Sequence, residues 1–282
     1  MGRNGRRAYY DRAFGMEGFS FQGIMQSFPN HFHDHYVIGC IERGERRMAC
    51  GNREYLLRPG DLVLFSPGVN HACESLGNTP FSYHCFNLKP ETVREAFRRV
   101  SGEDRPPSFV VPMARDGRLS GWLAALSASF SVSGAVSDEG GFTAFLDQVA
   151  GTYCALPPGS RESVQDGSAG PDSSGGPVET ACRWMRRHYA EPVSLRRLGE
   201  VAGMNSFTLL RAFVRTRGIT PYRYLETLRI AGAREFLEQG VEPAHAAILA
   251  GFTDQSHFTR HFKRMTGLTP GAYRKIFSGS AD

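Results

Sequence analysis

The sequence predicts a two-domain protein, in which an all-β barrel or jelly roll precedes an all-α domain with two helix-turn-helix units. From Phe19 to Leu88, short β-branched and aromatic runs alternate with Gly- and Pro-containing turns, a pattern typical of antiparallel strands in a small barrel. Beyond Val178, apolar residues recur three or four positions apart, as on a helix with one buried face. In addition, one helical segment of this second part occurs twice.

The repeated segment is AGMNSFTLLRAFVRTRGITP, which returns as AGFTDQSHFTRHFKRMTGLTP. In each copy a short helical pattern precedes an Ala-Gly pair, and a second amphipathic helix follows it. Two short helices joined at a glycine form a helix-turn-helix, whose second helix can enter the major groove of DNA. The copies align at a constant offset of 49 residues, with these identical pairs: Arg211 and Arg260, Phe213 and Phe262, Gly218 and Gly267, Thr220 and Thr269, Pro221 and Pro270.

The β-rich part contains five short runs that we interpret as strands. Gly44, Gly51-Asn52, Pro59-Gly60 and Pro67-Gly68 supply turns between them. A barrel built from such strands usually has a cavity at its mouth. The predicted strands are residues 36–41, 46–49, 54–57, 61–66 and 82–88.

Two helices and a linker are expected between these parts. Apolar residues keep helical spacing from Leu119 to Phe130 and again from Phe142 to Tyr153. This helical pair either packs on its own domain or forms a dimer contact. The stretch PPGSRESVQDGSAGPDSSGGP has no apolar period and is interpreted as a flexible linker. The predicted boundaries are 1–112 for the β domain, 113–156 for the helical pair, 157–177 for the linker and 178–282 for the helical domain.

The two halves differ in charge. Residues 1–177 carry 17 Lys and Arg against 19 Asp and Glu, and residues 178–282 carry 16 against 9, so their net charges are −2 and +7. A basic C-terminal part favours a nucleic-acid module, although a solvated basic face would have the same charge. No apolar run reaches the roughly 18 residues of a membrane span, and MGRNGRR precedes no apolar secretion segment. We therefore expect a cytoplasmic protein without a membrane partner.

Five histidines are candidate ligand-binding residues of the β domain. His31, His33 and His35 alternate in HFHDH, so in an extended strand their imidazoles share one side. His71 ends the turn-strand-turn stretch RPGDLVLFSPGVNH, and His84 lies in the last predicted strand. Neutral imidazoles on neighbouring strands suit a divalent metal at His31, His33 and His71. Binding of an effector without metal and structural hydrogen bonding are the alternatives.

The segment GFTDQSHFTRHFKRMTGLTPGAYR, residues 251–274, resembles the signature of the AraC/XylS family of bacterial transcription regulators in order and spacing. Residues 178–275 are similar to the family's seven-helix DNA-binding domain, and residues 19–88 to its cupin effector domain. The resemblance implies an N-terminal cupin or jelly-roll barrel with accessory helices and a C-terminal double helix-turn-helix domain. It also implies a bacterial cytoplasmic regulator that binds promoter DNA, often as a homodimer, under control of a small-molecule effector. RNA polymerase is a further candidate partner.

The second helix of each unit carries the candidate base-contacting residues. Arginine can pair with guanine and glutamine with adenine, while apolar side chains can touch thymine methyl groups. Lys263 is a candidate for neutralising a phosphate. Core packing of Phe207 and an ordinary solvated face on the second helix are the alternatives. By resemblance, base contacts fall on Phe207, Leu210 and Arg211 and on Gln255, Ser256, His257, Thr259 and Arg260.

The leading hypothesis is a sequence-specific transcription regulator controlled by an effector, and not an enzyme. One rival is a metal-dependent cupin enzyme or metal sensor fused to a DNA-binding domain. Another is a DNA binder without sequence preference. Metal analysis with a turnover assay separates the first rival from a regulator, and comparison of promoter with random DNA separates the second.

Overall fold

The computed structural model of the chain describes residues 5–77, 79–157 and 176–277. Contacts divide the chain into two compact units, residues 1–158 and 159–282, each with buried apolar residues of its own. The predicted linker, residues 157–177, lies outside the described residues except at its ends. The described helices include no candidate for a membrane span, which needs both sufficient length and an apolar composition.

The first unit is rich in short strands, and all five strands predicted from the sequence are confirmed within about two residues. Strands at both ends of the β region and between residues 71 and 75 add to them. The described strands are β1 Gly5–Asp11, β2 Met16–Ile24, β3 Phe28–His31, β4 Tyr36–Arg43, β5 Arg46–Cys50, β6 Arg53–Leu57, β7 Asp61–Phe65, β8 His71–Ser75, β9 Phe81–Leu88, β10 Ser108–Phe109, β11 Met113–Arg115 and β12 Cys154–Ala155.

The strands form two main antiparallel sheets. The larger has the order β1-β2-β9-β4-β7-β11 and the smaller the order β3-β8-β5-β6, while β10 and β12 pair separately. Side chains connect the two main sheets: the ring of Phe65 stacks on that of His71 at 3.6 Å, and Arg46 donates to the Ile24 carbonyl at 2.9 Å. The sheets therefore face each other as in a jelly roll, and hydrogen bonding among the described strands does not close a single barrel.

The larger sheet is the middle layer of the first unit. Side chains alternate along its strands, so that Tyr36, Ile38 and Cys40 of β4 pack with the helices, whereas Val37 pairs in register with Phe65 on the side of the smaller sheet. Covering both faces explains why β4 and β7 read as continuous apolar runs rather than as alternating ones.

Three helices share a buried cluster with the outer face of this middle layer. Helix α2 Gly117–Ser133 makes the main contacts with the sheet, and α1 Pro90–Ser101 packs against α3 Glu139–Tyr153. The two predicted helices correspond to α2 and α3. Their apolar residues, among them Leu123, Phe142 and Phe145, are buried in one cluster with the sheet, so the main apolar stripe of each helix packs on its own unit.

The second unit consists of seven helices in the described residues, the number that the resemblance implied. One long helix, α7, lies between the two helix-turn-helix units and packs against α4, α6, α8, α9 and α10. The helices are α4 Pro177–His188, α5 Leu195–Ala202, α6 Ser206–Arg217, α7 Pro221–Glu238, α8 Pro243–Leu249, α9 Gln255–Thr266 and α10 Pro270–Lys275.

The two copies of the repeated sequence share the residues that end one helix and start the next. Gly218 and Gly267 end α6 and α9 in the left-handed conformation, which glycine adopts without a Cβ penalty. Thr220 then caps α7, just as Thr269 caps α10, and a proline takes the first position of each following helix, where its missing N–H costs nothing. The same stop and start signals therefore fold both copies alike.

Candidate functional sites

Helix α6 is the first candidate reading helix, that is, the recognition helix of a helix-turn-helix unit. The Asn205 side chain accepts the backbone N–H of Thr208 at its N-terminus, which satisfies one of the donors that a helix start leaves unpaired. Leu209 and Phe213 are fully buried, whereas Phe207 is 79% exposed. Arg211 is exposed as well, and Leu210 is half-buried. Phe207 therefore does not pack in the core, and the predicted face of α6 is open to solvent.

The second candidate reading helix, α9, has the same arrangement. The Asp254 carboxylate accepts the backbone N–H groups of Ser256 and His257, and Phe258 and Phe262 are fully buried. The remaining predicted residues form the outer face. Gln255, Ser256, Arg260 and Lys263 are exposed, and His257 and Thr259 are half-buried.

His257 differs from its predicted role in one respect. Its imidazole lies beside that of His261, with ring centroids 4.2 Å apart, and His261 Nδ1 lies 3.0 Å from Oε1 of the buried Glu226 on α7. Glu226 and His261 were not predicted as site residues, because their contact joins residues 35 positions apart in the sequence. Only the spacing of His257 and His261, one helical turn apart on α9, is visible in the sequence.

Four of the five predicted histidines gather at one place in the first unit. His31 ends β3 and is paired in register with His71, which begins β8. Ring centroids are 4.6 Å apart for His31 and His71, 4.7 Å for His31 and His33, and 4.7 Å for His33 and His35. His33 and His35 lie in the turn before β4, not in the continuous strand that their spacing suggested.

Hydrogen bonds orient two rings of this cluster. His31 Nδ1 lies 2.6 Å from the Pro29 carbonyl and His71 Nδ1 lies 3.1 Å from the Val69 carbonyl. A carbonyl can only accept, so each Nδ1 carries the proton and each Nε2 keeps its lone pair. Burial, and next the His31 imidazole, lower the pKa of His71 well below its ordinary value. The ring of His71 is therefore neutral at pH 7 and able to act as a ligand.

His84 lies apart from this cluster. It pairs in register with Cys40 of β4, which faces the helices, and its Nε2 lies 3.2 Å from Glu42 Oε2. Alternation along the strand places it on the opposite face of the sheet from Phe65, the residue that stacks on His71. The structure therefore does not bring His84 together with the other four histidines.

A cavity of about 270 Å³ lies between the larger sheet and helices α2 and α3. Phe86, Trp122, Leu126 and Phe142 are among the residues of its apolar wall, and Asp138 adds a carboxylate. The strand pattern predicted a cavity at a barrel mouth instead. No local pattern could have shown this one, because the gap arises from packing between a helix pair and a sheet.

A β unit with an imidazole cluster and a basic helical unit with two candidate reading helices are the features expected of a ligand-responsive DNA-binding transcription regulator. The chain belongs to the AraC/XylS family of such regulators. Residues 13–147 match the model described as AraC-like ligand binding domain, and residues 198–276 match a helix-turn-helix domain.

Similar proteins support this assignment. Over 243 residues, 86% of this chain and 85% of the other, the chain is 40% identical to the uncharacterized HTH-type transcriptional regulator YbfI of Bacillus subtilis (strain 168). It is 25% identical over 257 residues, 88% of each chain, to the HTH-type transcriptional activator RhaS of Citrobacter koseri. These relatives are regulators by name, so the enzyme considered from the sequence is set aside.

The fold has a counterpart among solved structures. A crystal structure of an apo ToxT variant from Vibrio cholerae covers 95% of this chain and 100% of its own, with a TM-score of 0.57 and 13% identity. At this identity the likeness extends to the fold alone.

Proposed function

We propose that this regulator reads promoter DNA with the outer faces of α6 and α9. Phe207, Leu210 and Arg211 contact bases from α6, and Gln255, Ser256, His257, Thr259 and Arg260 contact them from α9, with Lys263 on a phosphate. The main support is that the two repeated helices bury matching apolar residues and leave these side chains on open faces. Entry into adjacent major grooves, about 34 Å apart, lets one monomer cover two half-sites.

The test uses a site selected from random DNA by the purified protein. Arg260→Ala should relax preference at one base position by about 1–3 kcal/mol, because a bidentate pair with guanine is lost. Lys263→Ala is the matched control from the same face. It should weaken all sequences alike and lower the salt slope by about one.

Two outcomes of these binding measurements contradict the proposal. Unchanged base preference in Arg260→Ala would remove the reading role of that residue. Equal affinity of the unaltered protein for selected and random DNA would favour a binder without sequence preference.

His31, His33, His35 and His71 form the proposed effector site. Neutral imidazoles can both donate and accept hydrogen bonds, so a small polar molecule can be recognised by several of them at once. Such an effector regulates only if it binds the DNA-competent and incompetent states with different affinity. His84 lies beside Glu42 on the other face of the sheet. It therefore belongs to the proposed site only if the effector also reaches that face.

A divalent metal at His31, His33 and His71 is the second candidate for this site. One nitrogen from each ring lies within 4.8 Å of the others, and the carbonyls of Pro29 and Val69 hold Nδ1 of two rings as the outer partners of metal-binding histidines do. Metal analysis of protein purified without an affinity tag should find an ion that His33→Ala loses. Equal metal content in both proteins would reject this candidate.

We further propose a homodimer and contact with RNA polymerase at the promoter. Val132 at the end of α2 is 90% exposed, and such a side chain on the helical pair gives a second copy an apolar contact. We also propose that the protein acts in the bacterial cytoplasm, because promoter DNA lies there. Sedimentation of the unaltered chain and of Val132→Asp tests the dimer, which the added charge should weaken.

A further inference from the structure

The pair of helices α7 and α9 encloses a second group of metal-ligating side chains. One ligand atom from each of Glu226, His257 and His261 lies within 4.8 Å of the others. His257 and His261 are four residues apart on α9, a spacing that puts two imidazoles on one side of a helix, as in zinc-binding helices. Glu226 comes from α7 and is only 3% exposed.

The contact between Glu226 and His261 is not an ordinary hydrogen bond. Glu226 Oε1 and His261 Nδ1 are buried and 3.0 Å apart, yet neither has a hydrogen-bond partner. Buried polar atoms are nearly always satisfied, and an exception calls for an ion or a water that completes the site. Two ligand atoms on a tetrahedral ion, each about 2.1 Å from the metal, lie roughly 3.4 Å apart. The observed pair is therefore close to the edge of such a coordination shell.

Three arginines, Arg223, Arg260 and Arg264, lie near the imidazole of His261. Arg223 Nη1 lies 3.2 Å from Oε2 of Glu226, which leaves Oε1 facing His261. Since these arginines repel a cation, we expect weaker binding than at a four-ligand structural zinc site.

We propose that Glu226, His257 and His261 form a transition-metal site, for Zn²⁺ or Co²⁺, that ties α9 to α7. Two histidines and one glutamate are a known donor set for zinc, with the fourth position left to water. Half-buried His257 gives that fourth position a route to solvent.

The site has a consequence that rests on the proposed base contact of His257. A metal ion would occupy one of the two nitrogens of His257 and hold its ring toward His261 and Glu226, away from a base edge, so Zn²⁺ should lower DNA affinity. By thermodynamic reciprocity, DNA should lower Zn²⁺ affinity by the same factor.

Metal binding is tested first without DNA, on the full chain after treatment with a chelator. Titration with Zn²⁺, and the visible spectrum with Co²⁺, should show a site that His257→Ala weakens by more than about 100-fold, since even loss of an outer partner costs about 10–100-fold. His245→Ala, an exposed histidine on α8, is the matched control and should bind as the unaltered protein does. His33→Ala should retain this site, which separates it from the cluster in the first unit.

Equal Zn²⁺ affinity of His257→Ala and His245→Ala would overturn the proposal. Glu226→Gln, which keeps the shape of the side chain, must also weaken binding, and unchanged affinity in this variant would reject the carboxylate ligand. If the ion binds but DNA affinity stays the same, the metal site stands and the base contact of His257 fails.

Discussion

Gly251 shows how one residue without a side chain fixes the second helix-turn-helix. Its φ is 83°, in the left-handed region that favours glycine. A Cβ placed there would lie 2.6 Å from the Ala190 carbonyl oxygen, in the turn after α4. The turn that leads to α9 therefore packs against backbone, and the position requires glycine both for its conformation and for space.

Gly240 offers a matched comparison, with φ of 85° and no atom within 4 Å of an added Cβ. Gly240→Ala should cost about 1–2 kcal/mol of unfolding free energy, from the left-handed conformation alone. Gly251→Ala should cost a further 1–3 kcal/mol or so from overpacking. Urea unfolding followed by Trp184 fluorescence, with Trp122→Phe as the common background, measures both. Equal costs would show that the contact with Ala190 yields without strain.

At the scale of single elements, the cap of α9 carries a second prediction. Asp254 accepts two backbone N–H groups at the start of this helix. Asp254→Ala should destabilise the second unit by about 1 kcal/mol, whereas Asp254→Ser keeps an N-cap acceptor and should lose less. The same fluorescence measurement compares the two variants. A loss as large in Asp254→Ser as in Asp254→Ala would mean that the charge of Asp254 matters more than its cap.

The elements that the sequence predicted are those with local signals. The five predicted strands were readable from β-branched runs between Gly and Pro turns, and helices α2, α3, α6 and α9 were readable from their apolar spacing. Helix α1 was not anticipated, although Pro90 at its start and the spacing of its buried Val93, Ala96 and Phe97 are such signals.

Other features have no local signal. The contact between His31 and His71 depends on the pairing of β3 with β8. The contact between Glu226 and His261 depends on the packing of α7 against α9. His35 was placed in a strand because alternation alone cannot distinguish a strand from an extended turn. Tertiary contacts of this kind become visible only when the fold is known.

At the scale of the molecule, the two units divide the work of sensing and binding. The second unit has its own core and both candidate reading helices, and residues 178–282 carry a net charge of +7. A fragment of residues 176–282 should therefore bind the selected DNA site without effector, and the fragment 1–157 should not bind it. Gel-shift titration of both fragments gives the comparison. A folded 176–282 fragment that fails to bind would show that both grooves cannot be engaged without dimerisation.

Helix α7 runs unbroken from Pro221 to Glu238 between the two reading helices. Each residue of an α-helix contributes about 100° of rotation and 1.5 Å of rise. One residue inserted near its middle would rotate the helices that follow, α8, α9 and α10, by about 100° around the axis of α7. Related chains can therefore exchange side chains on the outer faces of α6 and α9, but a change in the length of α7 would turn these two faces away from the common orientation that we propose for DNA binding.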